Sequence, residues 1–336
     1  ISNLVQSTYN AVDMLFVGRF TGTESLAAVS VCGPILNVMI ITLSGMSAGV
    51  LVVISGLLGA GDIKQAQDAA HTSVALYALM AAVMTVLGLL FVPQILRLVQ
   101  TPAAAMPEAK RYLYTVFAGT VFTFGYNLIG ALQRGLGNAA ASMSFVIISS
   151  AANIALDAVF IVWLGMGAFG AALGTVLSQV AAFVIGTVQF ARGGAALRLS
   201  ARAVRFHKKH LKNILLFGVP TALNEVMVNL AMLTVSGVAN SFGLASSAAY
   251  GVGSRINSLA IFTDGAMNQT MSAYASQNIG AGRQKRALEG LWKAIILSAG
   301  AALGTSLLVL GFASEFSACF DSDPAVIEQS AAFLRV

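Results

Sequence analysis

Two stretches of nine residues decide the fold: Leu58-Gly59-Ala60-Gly61-Asp62-Ile63-Lys64-Gln65-Ala66 and Ile279-Gly280-Ala281-Gly282-Arg283-Gln284-Lys285-Arg286-Ala287. They are related by an offset of 221, as from Gly59 to Gly280, and the offset holds without a gap in both directions. Upstream, Gly22 meets Gly243, Ser25 meets Ser246, and Ala27-Ala28 meets Ala248-Ala249. Ile35 then meets Ile256, Thr42 meets Thr263, Met46 meets Met267 and Ser55 meets Ser276. Downstream, Leu76 meets Leu297, Phe91 meets Phe312 and Leu113 meets Leu334. Small residues alone produce chance matches in such a composition, but an ungapped register from Gly22 to Leu113 marks an internal repeat.

The surroundings of these stretches are apolar. Of 336 residues, 57% are hydrophobic and 10% charged, where soluble domains carry about 25% charged residues. A bilayer core requires about 20 mostly apolar residues per helix. The charge-poor runs place spans near 1–18, 25–57, 68–95, 108–133, 139–163, 168–191, 210–239, 245–278 and 285–313, with a tenth beginning near Val326. The alternating polarity of lipid-exposed strands is absent, so the expected class is all-α integral membrane. Six spans separate equivalent points of the repeat. Both copies then insert in the same orientation, as two pseudo-symmetric parallel repeats of six transmembrane helices, of which about nine complete or nearly complete helices fall in this chain.

The basic residues set the orientation. With residue 1 on the cytoplasmic side, the even-numbered loops hold Lys64, Arg134, the group Arg192, Arg198, Arg202, Arg205, Lys208, Lys209 and Lys212, and then Arg283, Lys285, Arg286 and Lys293. Those are 13 of the 19 Lys and Arg residues, and their side is read as the cytoplasm. The net charge of +6 is therefore assigned to a membrane surface, with no nucleic-acid partner. The expected domains are an N-terminal lobe over 1–191, a basic cytoplasmic linker over 192–209 and a C-terminal lobe over 210–336. The chain opens at Ile1 within a hydrophobic run and stops at Val336 soon after another begins, so it is expected to be part of a longer protein lacking the start of the first helix and those after the ninth.

Ionisable groups inside spans cost about 2.5–3.5 kcal/mol each on insertion scales and mark functional sites by default. Five stand out: Asp13, Asp157, Glu225, Arg255 and Asp264. Asp13 shares a helix face with Ser2, Gln6 and Asn10. Asn153 and Asp157 are four apart on the fifth span, and Thr175 and Gln179 repeat that spacing on the sixth. In otherwise apolar helices, such stripes are expected to face one another. Their oxygens suit a hard cation, and a carboxylate neutralised by either Na⁺ or a proton can exchange the two. The alternative is an interhelical hydrogen bond that only holds the bundle together. Glu225 and Arg255 are candidate partners for each other, whereas Asp264, nine residues beyond Arg255, falls near the opposite side of that helix. Thr234 occupies the repeat position of Asp13, which assigns ion coupling mainly to the first half.

Other features have ordinary readings. The two Gly-Ala-Gly turns lack the GxxxxGK[ST] phosphate pattern and read as tight helix ends. Gly45 and Gly49 form a GxxxG pair for close helix contact. Pro34 and Pro220 open or kink helices. His71 is expected to bond locally, and His207 and His210 to be solvated among lysines. Met46, Met166, Met227, Met232, Met267 and Met271 suit either ordinary packing or an adaptable lining. Two cysteines and three histidines form no catalytic or metal-ligand pattern, so the chain is not read as an enzyme and no cofactor is expected.

Several segments together resemble the bacterial multidrug and toxic compound extrusion (MATE) family. They are Val12-Asp13-Met14-Leu15-Phe16-Val17-Gly18-Arg19, Gln133-Arg134-Gly135-Leu136-Gly137-Asn138 and Asn153-Ile154-Ala155-Leu156-Asp157-Ala158-Val159-Phe160-Ile161. Gly170-Ala171-Ala172-Leu173-Gly174-Thr175 with Ser178-Gln179, and Gln277-Asn278-Ile279-Gly280-Ala281-Gly282, complete the set. The resemblance implies twelve helices in two lobes of six, set in the bacterial inner membrane as a monomer. It implies a secondary antiporter that exports cationic or amphipathic organic compounds in exchange for Na⁺ or H⁺. Carried onto this chain, the family's cation or proton site falls on Asp13, Asn153, Asp157 and Thr175, and Gln6, Asn10, Gln179, Glu225, Arg255 and Asp264 become candidate cavity or substrate contacts. Two positions depart from the family: Ala158 stands where Pro is common, and Glu225 near a frequent Gln. A lipid-linked precursor flippase would want a cavity rich in Arg and Lys, where only Arg255 is clearly intramembrane; a non-transporting scaffold leaves the buried acids unexplained.

Overall fold

The computed structural model describes residues 16–193, 197–318 and 324–335, without the side chains of 201, 244, 245, 255, 257–264 and 324–326. Residues 16–20 are helical (α1). There follow α2 (Thr23–Gly59), α3 (Ile63–Leu98), α4 (Met106–Gly135), α5 (Ala139–Asp157), a π-helical segment (Ala158–Trp163) and α6 (Gly167–Arg192). After the linker come α7 (Lys208–Ser241), α8 (Leu244–Gly280), α9 (Gln284–Gly311), the short α10 (Ala313–Ala318) and α11 (Pro324–Leu334). The described regular structure is entirely helical, and seven described helical segments are long and apolar enough to cross a membrane. The first expected span, 1–18, falls mostly outside the described residues. The eighth, 245–278, is a single helix but is not one of those seven.

The offset of 221 reappears in the backbone. Helix α2 (Thr23–Gly59) and helix α8 (Leu244–Gly280) begin and end at equivalent positions, each with 37 residues, and α3 and α9 start at equivalent positions too. Both Gly-Ala-Gly turns close alike. The Gly61 and Gly282 amides donate to the carbonyls of Leu58 and Ile279, each at 3.0 Å, and those of Asp62 and Arg283 to Leu57 and Asn278. Gly61 (φ 73°) and Gly282 (φ 70°) are both left-handed, where a Cβ would be strained. That requirement explains the best-preserved stretch of the repeat. The cap chemistry differs: Asp62 accepts from the Gln65 amide, whereas Arg283 offers no side-chain cap.

Helices α2 to α6 enclose two layers of apolar core. Toward the basic side, Val50 and Ile54 of α2 meet Ala66 and Tyr77 of α3, Phe124 and Leu132 of α4, Phe145 of α5 and Phe190 of α6. Toward the opposite side, Ala28 and Cys32 pack with Val92, Leu96, Leu113, Phe117, Ile161 and Ala172. Helices α4 and α6, and α5 together with the π segment, contribute apolar residues to both layers, and between those contributions these three carry a polar level.

Candidate functional site

On α4, Thr120 and Thr123 lie between Phe117 of one apolar layer and Phe124 of the other. On α5, Asn153 and Asp157 lie between Phe145 and Ile161, and on α6 Thr175, Ser178 and Gln179 lie between Ala172 and Ala182. Thr120 and Asp157 are 0% exposed and Asn153 is 1% exposed; Thr123 and Ser178 are also buried. Buried polar groups far from water are costly unless paired, so this level must supply their partners.

The α5–α6 contact is direct. The Ser149 hydroxyl donates to the Ser178 carbonyl at 2.8 Å, and the Ser178 hydroxyl to that of Thr175 at 2.8 Å. The Asp157 carboxylate lies against the Cα of Gly174, so close that any Cβ there would overlap Oδ1. Glycine at 174 thus admits the carboxylate to the backbone of α6. Successive helical residues turn by about 100°. Gly174 and Ser178 therefore share the face toward α5, while Val176 and Phe183 meet Gly119 and Gly125 of α4. Thr175 and Gln179 lie between these two faces. Gln179 accepts a hydrogen bond from the Thr123 hydroxyl, so its carboxamide oxygen is held by α4.

The helix bearing Asp157 changes winding directly after it. From Ala158 to Trp163 the backbone is π-helical, with the Leu164 amide bonded to the Val159 carbonyl at 3.0 Å. Such wide turns gather at functional sites. Gly170 lets α6 approach this segment, since a Cβ there would fall 3.1 Å from that of Phe160. Ala158 stands at the first π position. Among the described residues neither amide atom of Asn153, about one helical turn before Asp157, has a hydrogen-bond partner.

Other expected residues fall elsewhere. Asp13, Gln6 and Asn10 lie outside the described residues. Arg255 and Asp264 are on α8, their side chains likewise outside the description. Glu225 is half-buried on α7; its carbonyl accepts from Asn229, whose own side-chain oxygen faces Asn37 of α2 at 3.5 Å. No group of three or more His, Cys, Asp or Glu capable of holding a metal occurs among the described residues. One histidine expectation is extended and one changes. His71 Nε2 lies 3.3 Å from Gln67 Nε2, the local partner expected four residues away, and also accepts the Ser200 amide at 3.3 Å, from 129 positions away. His210 is buried rather than solvated, its ring 5.9 Å from that of His207.

A second feature was not anticipated from sequence: a glycine seam toward the basic side. A Cβ on Gly59 of α2 would overlap the Gln277 carbonyl of α8, and one on Gly280 would overlap the Gly56 carbonyl. The Gly135 carbonyl at the end of α4 accepts from both Ser55 and Gln277, each at 3.3 Å. Farther along α2, the Gly45 and Gly49 pair presses on α7: a Cβ at Gly45 would lie 2.5 Å from that of Ala222, and one at Gly49 would strike the Ile214 carbonyl. The GxxxG spacing signalled close contact but not its partner.

This is an all-α membrane fold with a polar level buried in its N-terminal half. The MatE family profile matches residues 1–159 and 220–336. The chain is 30% identical over 305 residues to the "Probable multidrug resistance protein YoeA" of Bacillus subtilis (strain 168), covering 87% of this chain and 65% of that protein. It is 28% identical over 286 residues to "Probable multidrug resistance protein YpnP" of the same organism, covering 85% and 64%. The chain thus spans just under two thirds of the length of these curated relatives. A solved structure described as the outward-facing conformation of a multidrug resistance MATE family transporter of the MOP superfamily superposes with a TM-score of 0.91, at 26% identity, over 99% of this chain and 75% of that one. The chain belongs to the MatE family and is a multi-pass protein of the bacterial cell membrane.

Proposed function

We propose that the protein is a secondary antiporter that exports cationic or amphipathic organic compounds in exchange for Na⁺ or H⁺. The observation that carries this reading is the sealed polar level: Asp157 and Asn153 are enclosed between two apolar layers, and Gly174 makes room for the carboxylate. A structural hydrogen bond requires no ionisable group at such depth. In the proposed organisation, residues 1–191 form an N-terminal lobe, 192–209 a cytoplasmic linker and 210–336 a C-terminal lobe. Helix bounds that repeat at an offset of 221 support two parallel six-helix repeats.

Asp13, Asn153, Asp157 and Thr175 bind the coupling ion in this proposal. The amide oxygen of Asn153 and the carboxylate of Asp157 are hard ligands, with Na⁺ a transported ion rather than a resident cofactor. Neutralising the site favours one opening of the transporter, and substrate binding favours the other. Coupling then follows from the different affinities of ion and substrate for the two states. The close seam between α2 and α8 on the basic side supports an outward-facing assignment for this structure. Gln6, Asn10, Gln179, Glu225, Arg255 and Asp264 are assigned to the cavity or substrate path. The transporter is proposed to work as a monomer, without catalytic chemistry.

Dye efflux from vesicles, driven separately by imposed sodium and proton gradients, tests the proposal. Asp157→Asn in the whole protein should abolish ion-driven efflux while normal amounts reach the membrane. Undiminished transport overturns the assignment, and the gradient that drives the unsubstituted protein identifies the ion.

A further inference from the structure

The basic segment between α6 and α7 is fastened by its backbone. Leu197 is buried in the apolar layer toward the basic side. The Arg198 amide donates to Gln67 Oε1 at 2.8 Å, and the Gln67 side-chain amide returns a bond to the Arg198 carbonyl. Farther along, the His207 amide donates to the Thr72 hydroxyl at 3.2 Å, and that hydroxyl reaches the Arg205 carbonyl at 3.4 Å. Holding the segment by main chain leaves its cationic side chains outward. Arg192, Arg198, Arg202, Arg205, Lys208 and Lys209 are all exposed. Among the described residues the segment's carboxylate contact is that of His207 Nε2 with Asp68 Oδ1, at 3.6 Å.

Where this field reaches α7 there is an open cleft of about 500 Å³, lined by Lys208, Leu211, Lys212, Leu215 and Leu216. The spacing puts Lys208 and Lys212 on one helical face, and like charges four apart repel each other. Leu211 and Leu215 follow on that face and pack against the core. The cleft is therefore cationic at its mouth and apolar as α7 continues through Leu216 and Phe217. A free anion would have no use for the leucines. An anionic headgroup with an acyl chain matches both ends.

We propose that this cleft binds an anionic glycerophospholipid of the adjacent leaflet, with its phosphate between Lys208 and Lys212 and an acyl chain along Leu211, Leu215 and Leu216. The exposed arginines of the fastened segment raise the local concentration of such lipids. The site stands apart from the buried polar level, and the proposal does not rest on the antiport reading.

The experiment follows thermal unfolding of the purified protein in neutral detergent, titrated with phosphatidylglycerol, phosphatidylcholine or inorganic phosphate. Phosphatidylglycerol should raise Tm by several degrees, and the other two should have little effect. The double variant Lys208→Gln/Lys212→Gln should lose most of that rise, while Lys110→Gln/Arg111→Gln on the opposite side should keep it. Equal stabilisation by phosphatidylcholine, a matching rise with phosphate alone, or a full response in the Lys208/Lys212 variant would each overturn the site. A second measurement avoids removing charge. With Trp163 and Trp292 replaced by Phe, a tryptophan introduced as Leu216→Trp should be quenched more by brominated phosphatidylglycerol than by equal brominated phosphatidylcholine. Equal quenching also rejects the proposal.

Discussion

Gly59 of α2 lies so close to Gln277 of α8 that a methyl group on it would overlap the Gln277 carbonyl, and Gly280 stands in the same relation to Gly56. Shifting Gly59 and Gly56 by the repeat offset gives Gly280 and Gln277. The two contacts are therefore images of each other, as expected where repeats meet across a pseudo-two-fold axis. Overlap with a backbone carbonyl cannot be relieved by changing a rotamer. Gly59→Ala and Gly280→Ala should each prop the seam open, and by similar amounts. Ser55 is 0% exposed beside the seam. With Cys32 and Cys319 replaced by Ala, a Ser55→Cys reporter should react severalfold faster with an impermeant maleimide from the basic side when either alanine is present. Unchanged labelling would show that the seam is not the barrier.

Gly174→Ala tests the ion site without altering a charge. The added methyl overlaps Asp157 Oδ1, so either the carboxylate turns away or α6 moves from α5. Efflux should fall at least tenfold, approaching the loss from Asp157→Asn, with protein in the membrane at normal levels on an immunoblot. Thr123→Val, which removes only the bond to Gln179, should have the smaller effect. The reverse ranking would place the coupling centre nearer α4 than α5.

Much of the fold was legible because lipid imposes strict requirements. Charge-free runs fixed most span limits to within a few residues, and the left-handed glycines Gly61 and Gly282 preserved the repeat where side chains drifted. The pairing of α5 with α6 followed from polar spacing, but three details were hidden. Gly174 carries no side chain to signal that a carboxylate lies against it. The π segment after Asp157 is a backbone choice that the apolar run Ala158–Trp163 does not announce. The role of Gln67, His71 and Thr72 in fastening the linker depends on residues about 130 positions away. Spacing on one helix can show a shared face, but not which distant backbone that face receives.

Asp62 gives a pH test of local structure outside the spans. Its carboxylate accepts from the Gln65 backbone amide at 3.0 Å and also from the Gln65 side chain. The backbone bond, then the side-chain bond, hold its pKa below the ordinary 3.8. A depressed carboxylate pKa stabilises the fold fully above the unfolded value, and that contribution is lost as pH falls through the folded one. Asp62→Ala should therefore lower Tm at pH 7, with the difference shrinking as pH drops below 3.8. Asp62→Asn, which caps without titrating, should retain more stability at pH 7. Thermal unfolding in detergent across that range checks both; a gap that does not shrink at low pH would point to lost packing instead.

Leu197 tests how the segment between α6 and α7 is held. It is 2% exposed within the apolar layer, whereas Arg198 and Ser200 beside it are exposed. Buried Leu→Ala changes cost about 2–5 kcal/mol. A loss of about 3 kcal/mol confined to docking would raise the undocked population about a hundredfold. When opening is fast relative to cleavage, proteolysis follows that population. Trypsin should then cut at Arg198, Arg202 and Arg205 far faster in Leu197→Ala, with little change elsewhere in the protein. Gln67→Ala removes both bonds to the Arg198 backbone and should act in the same direction, but the two effects should not add, because both residues hold one short stretch. If Leu197→Ala leaves the cleavage rate unchanged while Gln67→Ala raises it, the hydrogen bonds hold the segment and the leucine merely fills space beneath it.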